Sequence, residues 1–168
     1  MEMVKKDRPV GKDKTETKLP GSGGLVCRVL TPQRTVFARR VESVSLDTAA
    51  GRLEIFARYE PTIAPLSVGA VLVREEDGSE TSLAVHGGYV NMSGNTLVIL
   101  ADSAEVGGEI DIERARQSLV RARSLLAQVT EEGAGKDRID ADRARFAILR
   151  SLARLKVAGQ EAPPGRQS

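Results

Sequence analysis

The sequence predicts an α+β protein: an antiparallel β-sandwich or flattened barrel at residues 25–108, then an antiparallel two-helix hairpin at residues 109–158. Three observations carry this reading. Short β-branched runs and turn residues alternate about every ten residues across 25–101, as in all-β sandwiches and barrels. After ADSAEVGG the hydrophobic period changes from two to 3.6. Beyond that point two amphipathic stretches are joined by a glycine-containing breaker, EEGAGKD, which sets the two helices antiparallel.

In chain order, residues 1–24 (MEMVKKDRPVGKDKTETKLPGSGG) are polar and lysine-rich and read as a flexible arm. Strand-like runs follow in LVCRVLTP, TVFARRVESVSLDT, GRLEIF, GAVLVR, TSLAV, GYVNM and TLVIL. EEDGSE is a hairpin turn between VLVR and TSLAV, and SGN is another between GYVNM and TLVIL. No crossover helix fits between these runs, so the sheet is expected to be mostly antiparallel. Gly87-Gly88 marks a close backbone approach or a bulge. In the first helix Ile112, Ala115, Leu119, Ala122, Leu126 and Val129 form one apolar stripe. The second helix is expected from about Ala141 to Val157, with Ala144, Ile148, Leu152 and Leu155 on its apolar side. Ala115, Ala122 and Ala144 are small enough to let the two backbones approach closely. A disordered tail is expected at 159–168.

Nearly the same six letters occur twice, IDIERA at 110–115 and IDADRA at 139–144. Each copy reads as a helix start. Asp111 or Asp140 stands where an N-cap belongs, accepting from backbone N–H groups two or three residues on. Ile110 or Ile139 before the cap, with Ala115 or Ala144 at the fourth helical position, fits a hydrophobic staple. Glu113 and Asp142 add negative charge in the first turn, favourable against the helix dipole. Capping explains the Ile and the Asp but leaves the arginines unexplained.

Those arginines are patterned. Arg114 and Arg121 share a face of the first helix; Arg143, Arg150 and Arg154 share a face of the second. No acidic residue lies between 116 and 129, or between 143 and 158, to supply the usual i,i+4 pairs. A solvated face is the ordinary reading of an arginine row, but two such rows side by side call for an anion. Guanidinium forks suit phosphate and carboxylate equally, so either a polyphosphate or an acidic protein surface would serve.

Other function classes are excluded or weak. A formal net charge of +2, no Trp and only five Phe and Tyr residues together give no nucleic-acid signature. No apolar run reaches the roughly 18 residues that span a bilayer. The N-terminal stretch lacks the hydrophobic region of a secretory signal. The single cysteine, Cys27, excludes an internal disulfide and fits a reducing compartment. His86, the one histidine, precedes Gly87-Gly88 in a strand context and reads as structural rather than catalytic. No nucleophile–base pair, metal cluster or phosphate loop is present in the sequence, so nothing points to an enzyme.

The order of these segments resembles the epsilon subunit of the F-type ATP synthase, a small rotor subunit of the central stalk. The resemblance covers roughly 25–158 and is carried by VLTPQRTVFARRVESVSL, HGGYVNMSGNTLVILADSAE and EIDIERA. It implies a non-catalytic regulatory subunit, peripheral on the cytoplasmic face of the bacterial inner membrane. Its implied partners are the gamma subunit, the c-ring and, through the hairpin, the catalytic alpha and beta subunits; nucleic acid is not among them. No cofactor is required, but ATP is implied as a regulatory ligand through a motif of the type I/L-D-x-x-R-A. Ile110, Asp111, Arg114 and Ala115 match that motif, Glu105 is the acidic residue six before the Asp, and Arg121, Arg143, Arg150 and Arg154 match the family's further arginines. The second hexapeptide has no such role in the family. The segment that faces the c-ring usually carries Gly, then Pro-Gly-His and a Pro. Here GRLEIFARYEP keeps Gly51 and Pro61 but has Ala57, Arg58 and Tyr59 between, so Arg52, Arg58 and Tyr59 are the implied ring-facing residues. A reading of a different class is a free-standing sandwich module whose arginine hairpin docks an acidic partner.

Overall fold

Period-two alternation decides which way each strand faces. In β1 (Leu25–Leu30) Leu25, Cys27 and Val29 are fully buried, while Val26, Arg28 and Leu30 face outward. The same alternation buries Val90 and Met92 in β7 (Tyr89–Ser93) and Leu97 and Ile99 in β8 (Thr96–Leu100). The computed structural model describes residues 23–48, 50–131 and 138–159. The expected arm, except Gly23 and Gly24, and the expected tail, except Gly159, lie outside the described residues.

The remaining strands are β2 (Thr35–Thr48), β3 (Gly51–Phe56), β4 (Thr62–Pro65), β5 (Val68–Glu75), β6 (Glu80–His86) and β9 (Ala104–Val106). They form one nine-stranded sheet in the order β4-β7-β8-β1-β2-β5-β6-β9, with β3 on β2. All pairs are antiparallel except β1 with β8. β2 is long enough to serve both halves: residues 35–41 pair with β1, and 43–48 with β3. Its register with β5 shifts between Val41 and Ser43, a bulge that bends the strand. The inward faces of both halves meet in one core that includes Val29, Val44, Leu46, Ile55, Leu83 and Ile99.

Two strands were not legible in the sequence. β4 carries Pro65, which reads as a strand breaker; it survives because β4 is an edge strand and its proline need not donate. β9 has only three residues, too few to show a period. Both expected turns are present, closing β5 to β6 and β7 to β8 with Gly78 and Gly94 at positive φ. The expected close approach is at Gly88, where a Cβ would fall 2.0 Å from the Leu100 carbonyl oxygen and φ is 109°.

A 3-10 turn (Gly107–Glu109) leads into α1 (Ile112–Glu131), and α2 (Arg138–Gly159) returns antiparallel along it. Ala115, Ala122 and Ala144 are buried, as their size required, with Leu119, Leu126 and Val129 half-buried; Ile112, at the start of the stripe, is exposed. α2 also packs on β5 and β6. This double duty corrects the expected apolar side of α2: Leu152 is exposed, while Ala153 and Val157 are buried. Val157 meets Ala84 and Ile110, and its Cγ1 would lie 3.4 Å from a Cβ placed on Gly107. The helix therefore uses one stripe for α1 and a second for the sheet. No described helix is long and apolar enough to cross a membrane.

Candidate functional site

Local chemistry places α1 at the mouth of a polar cleft. The Asp111 carboxylate accepts from the Arg114 N–H at 2.9 Å, and its carbonyl accepts from the Ala115 N–H at 3.0 Å. That is an N-cap, and it fixes the helix start at Ile112. Ile110 is buried against Ala84 and Val157, so the residue before the cap pins the chain to the sheet. Asp111 and Arg114 are left exposed beside β9.

Across from them, Glu105 of β9 meets Arg154 of α2. Nε of Arg154 donates to Glu105 Oε1 at 2.9 Å, and Nη2 donates to the same oxygen. The hydrogen bonding from Arg154 holds the Glu105 carboxyl below the usual carboxylate range, against an opposing desolvation effect. This pair, 49 residues apart in the chain, ties α2 to the last strand.

Glu105, Glu109, Asp111, Arg114, Ala115, Ser118 and Arg154 line a cleft of about 380 Å³. Glu105, Asp111, Arg114, Ala115 and Arg154 are thus brought together as the family motif implied. Ile110 packs beneath them in the core. Arg121 stands two turns beyond Arg114 on α1, roughly 10 Å along the axis, and does not line the cleft. Arg150 is half-buried and faces His86, and Arg143 pairs with Asp140 at 3.4 Å. Glu109 and Ser118 are additions. Ser118 was within reach of the sequence, being four residues after Arg114 on the same helix face. Glu109 was not: its carboxylate takes Arg34 at 2.7 Å, from a turn 75 residues earlier.

The arginine rows are less bare than the sequence implies. Arg116 reaches Glu113, Arg143 reaches Asp140 and Arg145 reaches Asp142, all at i,i+3 spacing near the helix starts. The cleft itself carries three carboxylates and two guanidiniums. Its cations are partly compensated from within, so an anion entering it has to compete with Glu105 for Arg154.

At the second implied site the structure separates what the sequence grouped. Arg52 is the second residue of β3 and Arg58 lies two residues beyond its other end, with roughly 13 Å of strand from Arg52 to Phe56 between them. Arg52 Nε donates to Ser45 Oγ at 2.9 Å, and Arg52 shares a shallow cleft with Asp47, Glu80 and Lys156 of α2. Arg58 and Tyr59 lie in the β3–β4 loop beside the β7–β8 turn, where the Asn95 side-chain oxygen accepts from the Arg58 N–H at 2.9 Å. Arg58 is the one described non-glycine residue at positive φ, 64°, the place where the family pattern has Gly. Tyr59 packs partly on the core.

Family models match both parts of the chain. Residues 25–107 match the β-sandwich domain of the ATP synthase delta/epsilon chain, and residues 109–159 match its long α-helix domain. An ATP synthase epsilon chain of Halalkalibacterium halodurans is 41% identical over 81% of this chain and 98% of its own length. Those of Moorella thermoacetica and Bacillus pumilus are 37% and 36% identical over 80% and 79% of this chain, and 96% and 95% of their own. A chain in the mitochondrial ATP synthase of Euglena gracilis has the same fold, with a TM-score of 0.67 at 19% identity over 90% of this chain and 89% of that one.

Proposed function

The chain belongs to the ATP synthase delta/epsilon chain family, and from that premise we propose that it is a non-catalytic rotor subunit of the central stalk. In this reading the sandwich holds the gamma subunit and rests on the c-ring, and the hairpin restrains ATP hydrolysis by the catalytic subunits. The complex would sit on the cytoplasmic face of the bacterial inner membrane and couple ion flow to ATP synthesis.

The observation that carries the reading is the family match to both domains, in order and nearly end to end. The surface supports it. Ile63, Tyr89 and Leu100 are 75%, 59% and 52% exposed on the outward face of β4, β7 and β8. Pro65, Tyr89 and Leu100 are register partners in one row across these strands. Large apolar side chains grouped on one sheet face need a cover, and this face is the one we assign to the gamma subunit. The Arg58–Tyr59 end is assigned to the c-ring; Arg52, being at the far end of β3, is not part of that contact.

ATP as a regulatory ligand belongs to the same proposal. Asp111, Arg114 and Ala115 would hold the nucleotide at the start of α1, and Arg154 would meet a phosphate in place of Glu105. Because both helices line the cleft, a bound nucleotide favours the folded hairpin by population shift. A millimolar dissociation constant is only about −4 kcal/mol, within reach of a few charge-assisted contacts.

The test is a chain ending at Gly108. It is expected to copurify with the membrane ATPase and to support ATP synthesis, with ATP hydrolysis equal to or above that of the intact complex. Failure of the intact chain to enter the complex would overturn the proposal. Titration calorimetry with ATP, with and without magnesium, tests the nucleotide separately.

A further inference from the structure

The imidazole of His86 lies under the docked helix, at the end of β6, and is 5% exposed. Its Nδ1 is 3.3 Å from Ser103 Oγ. Its Nε2 is buried, lying near the backbone of Arg150 without completing a hydrogen bond. The groups that face it come from two directions. From the sheet side they are Ser103 and the Glu105 carboxylate; from α2 they are the guanidiniums of Arg154 and Arg150. Its register partner on β5, Val68, is uncharged. Glu105 is already committed to Arg154, so a positive charge on His86 would lack a free counter-ion and would face two cations on the helix above it.

We propose that His86 is a proton-operated release for the helical hairpin: the docked form requires the neutral imidazole, and protonation loosens α2 from the sheet. The arrangement is a buried ring at an interface, with the like charges on the mobile side and the compensating charge taken. Burial first, then Arg154, pushes the His86 pKa down to about 4 from 6.5; Glu105 opposes them, Arg150 adds to them, and the Arg150 backbone opposes last. Once α2 lifts away the ring regains water and returns toward its ordinary value. The undocked form therefore binds the proton more readily. Through His86, docking is at full strength above about pH 7 and weakens as pH falls through 6.5 toward about 4. At pH 5.5 the docking equilibrium shifts roughly tenfold toward release. At pH 5.5 Glu105, held low by Arg154, remains ionised, so the change at that pH belongs to the imidazole. The inference needs neither nucleotide nor partner subunit and stands apart from the ATP reading.

The experiment uses the full chain alone, without nucleotide. Its one histidine gives an unambiguous NMR titration, and hydrogen exchange, corrected for intrinsic rates, reports the protection of residues 150–158. The wild type is expected to show a depressed His86 pKa and roughly tenfold weaker protection of those amides at pH 5.5 than at pH 7.5, with β1, β7 and β8 unchanged. His86→Gln is expected to lose that pH dependence. Ordinary titration of His86, protection that does not change with pH, or the same pH dependence in His86→Gln would each overturn the proposal. The first two are read on the wild type and stand even if the variant does not fold.

Discussion

Residues 110–115 and 139–144 share Ile, Asp, Arg and Ala in the same positions, yet only the first copy opens a helix. Asp111 stands outside α1 and caps it through the Arg114 N–H. Asp140 lies inside α2, which begins at Arg138, and its carboxylate turns to Arg143 at 3.4 Å instead. The expected second cap is thus corrected. The difference lies in what precedes each copy. Ile110 is held in extended backbone by its burial against Ala84 and Val157, so α1 cannot run back through it into the 3-10 turn. In the second copy the backbone is already helical at Arg138, so residues 138–140 belong to the helix itself. Identical letters become different structures because a cap needs its preceding residue kept out of the helix. The alanines, by contrast, behave alike: Ala115 and Ala144 are both buried where α1 and α2 pack.

This comparison can be broken most severely at the letter that is truly shared. Ala115→Leu and Ala144→Leu are each expected to cost roughly 1–3 kcal/mol by overpacking, measured by urea denaturation; a large cost at only one would show that the helices do not meet symmetrically. Next comes the ligand. The double substitution Asp111→Ala with Arg114→Ala is expected to weaken ATP binding by at least about tenfold, worth roughly 1.4 kcal/mol, while Asp140→Ala with Arg143→Ala leaves it within about twofold by calorimetry. Equal losses would place Arg143 in the site despite its distance from the cleft.

Smaller effects sharpen the contrast in capping. Asp111→Ala alone is expected to lower stability by about 1 kcal/mol, and Asp111→Asn or Ser to restore most of it. Asp140→Ala removes only an exposed i,i+3 pair and is expected to change stability by no more than about 0.5 kcal/mol. Comparable midpoint shifts for the two alanine variants would mean that the second aspartate caps in solution after all.

The candidate site divides along similar lines. Asp111, Arg114 and Ala115 were legible because a contiguous motif carries them on one helical turn. Glu105 and Arg154 are 49 residues apart, and their pairing rests on how α2 crosses β9, which no local spacing encodes. Arg121, Arg143 and Arg150 share faces with cleft residues by periodicity, yet the cleft is shorter than those rows. Periodicity assigns a face to a residue; it does not say how far along that face a site extends.

The sequence by itself determined the alternating burial of β1, β7 and β8, both hairpin turns, a close approach or bulge at Gly87-Gly88, and two helices with small residues where they meet. These follow from local rules of period, turn chemistry and size, which act within a few residues. Only the tertiary structure decided the parallel pairing of β1 with β8, the edge place that lets β4 keep Pro65, the second buried stripe of α2 and the separation of Arg52 from Arg58. It also decided which of two matching hexapeptides became a cap and which arginine met a carboxylate. Each of these depends on a surface supplied from far along the chain, and the free energy that settles it is the burial of that surface, not a preference of the residues themselves.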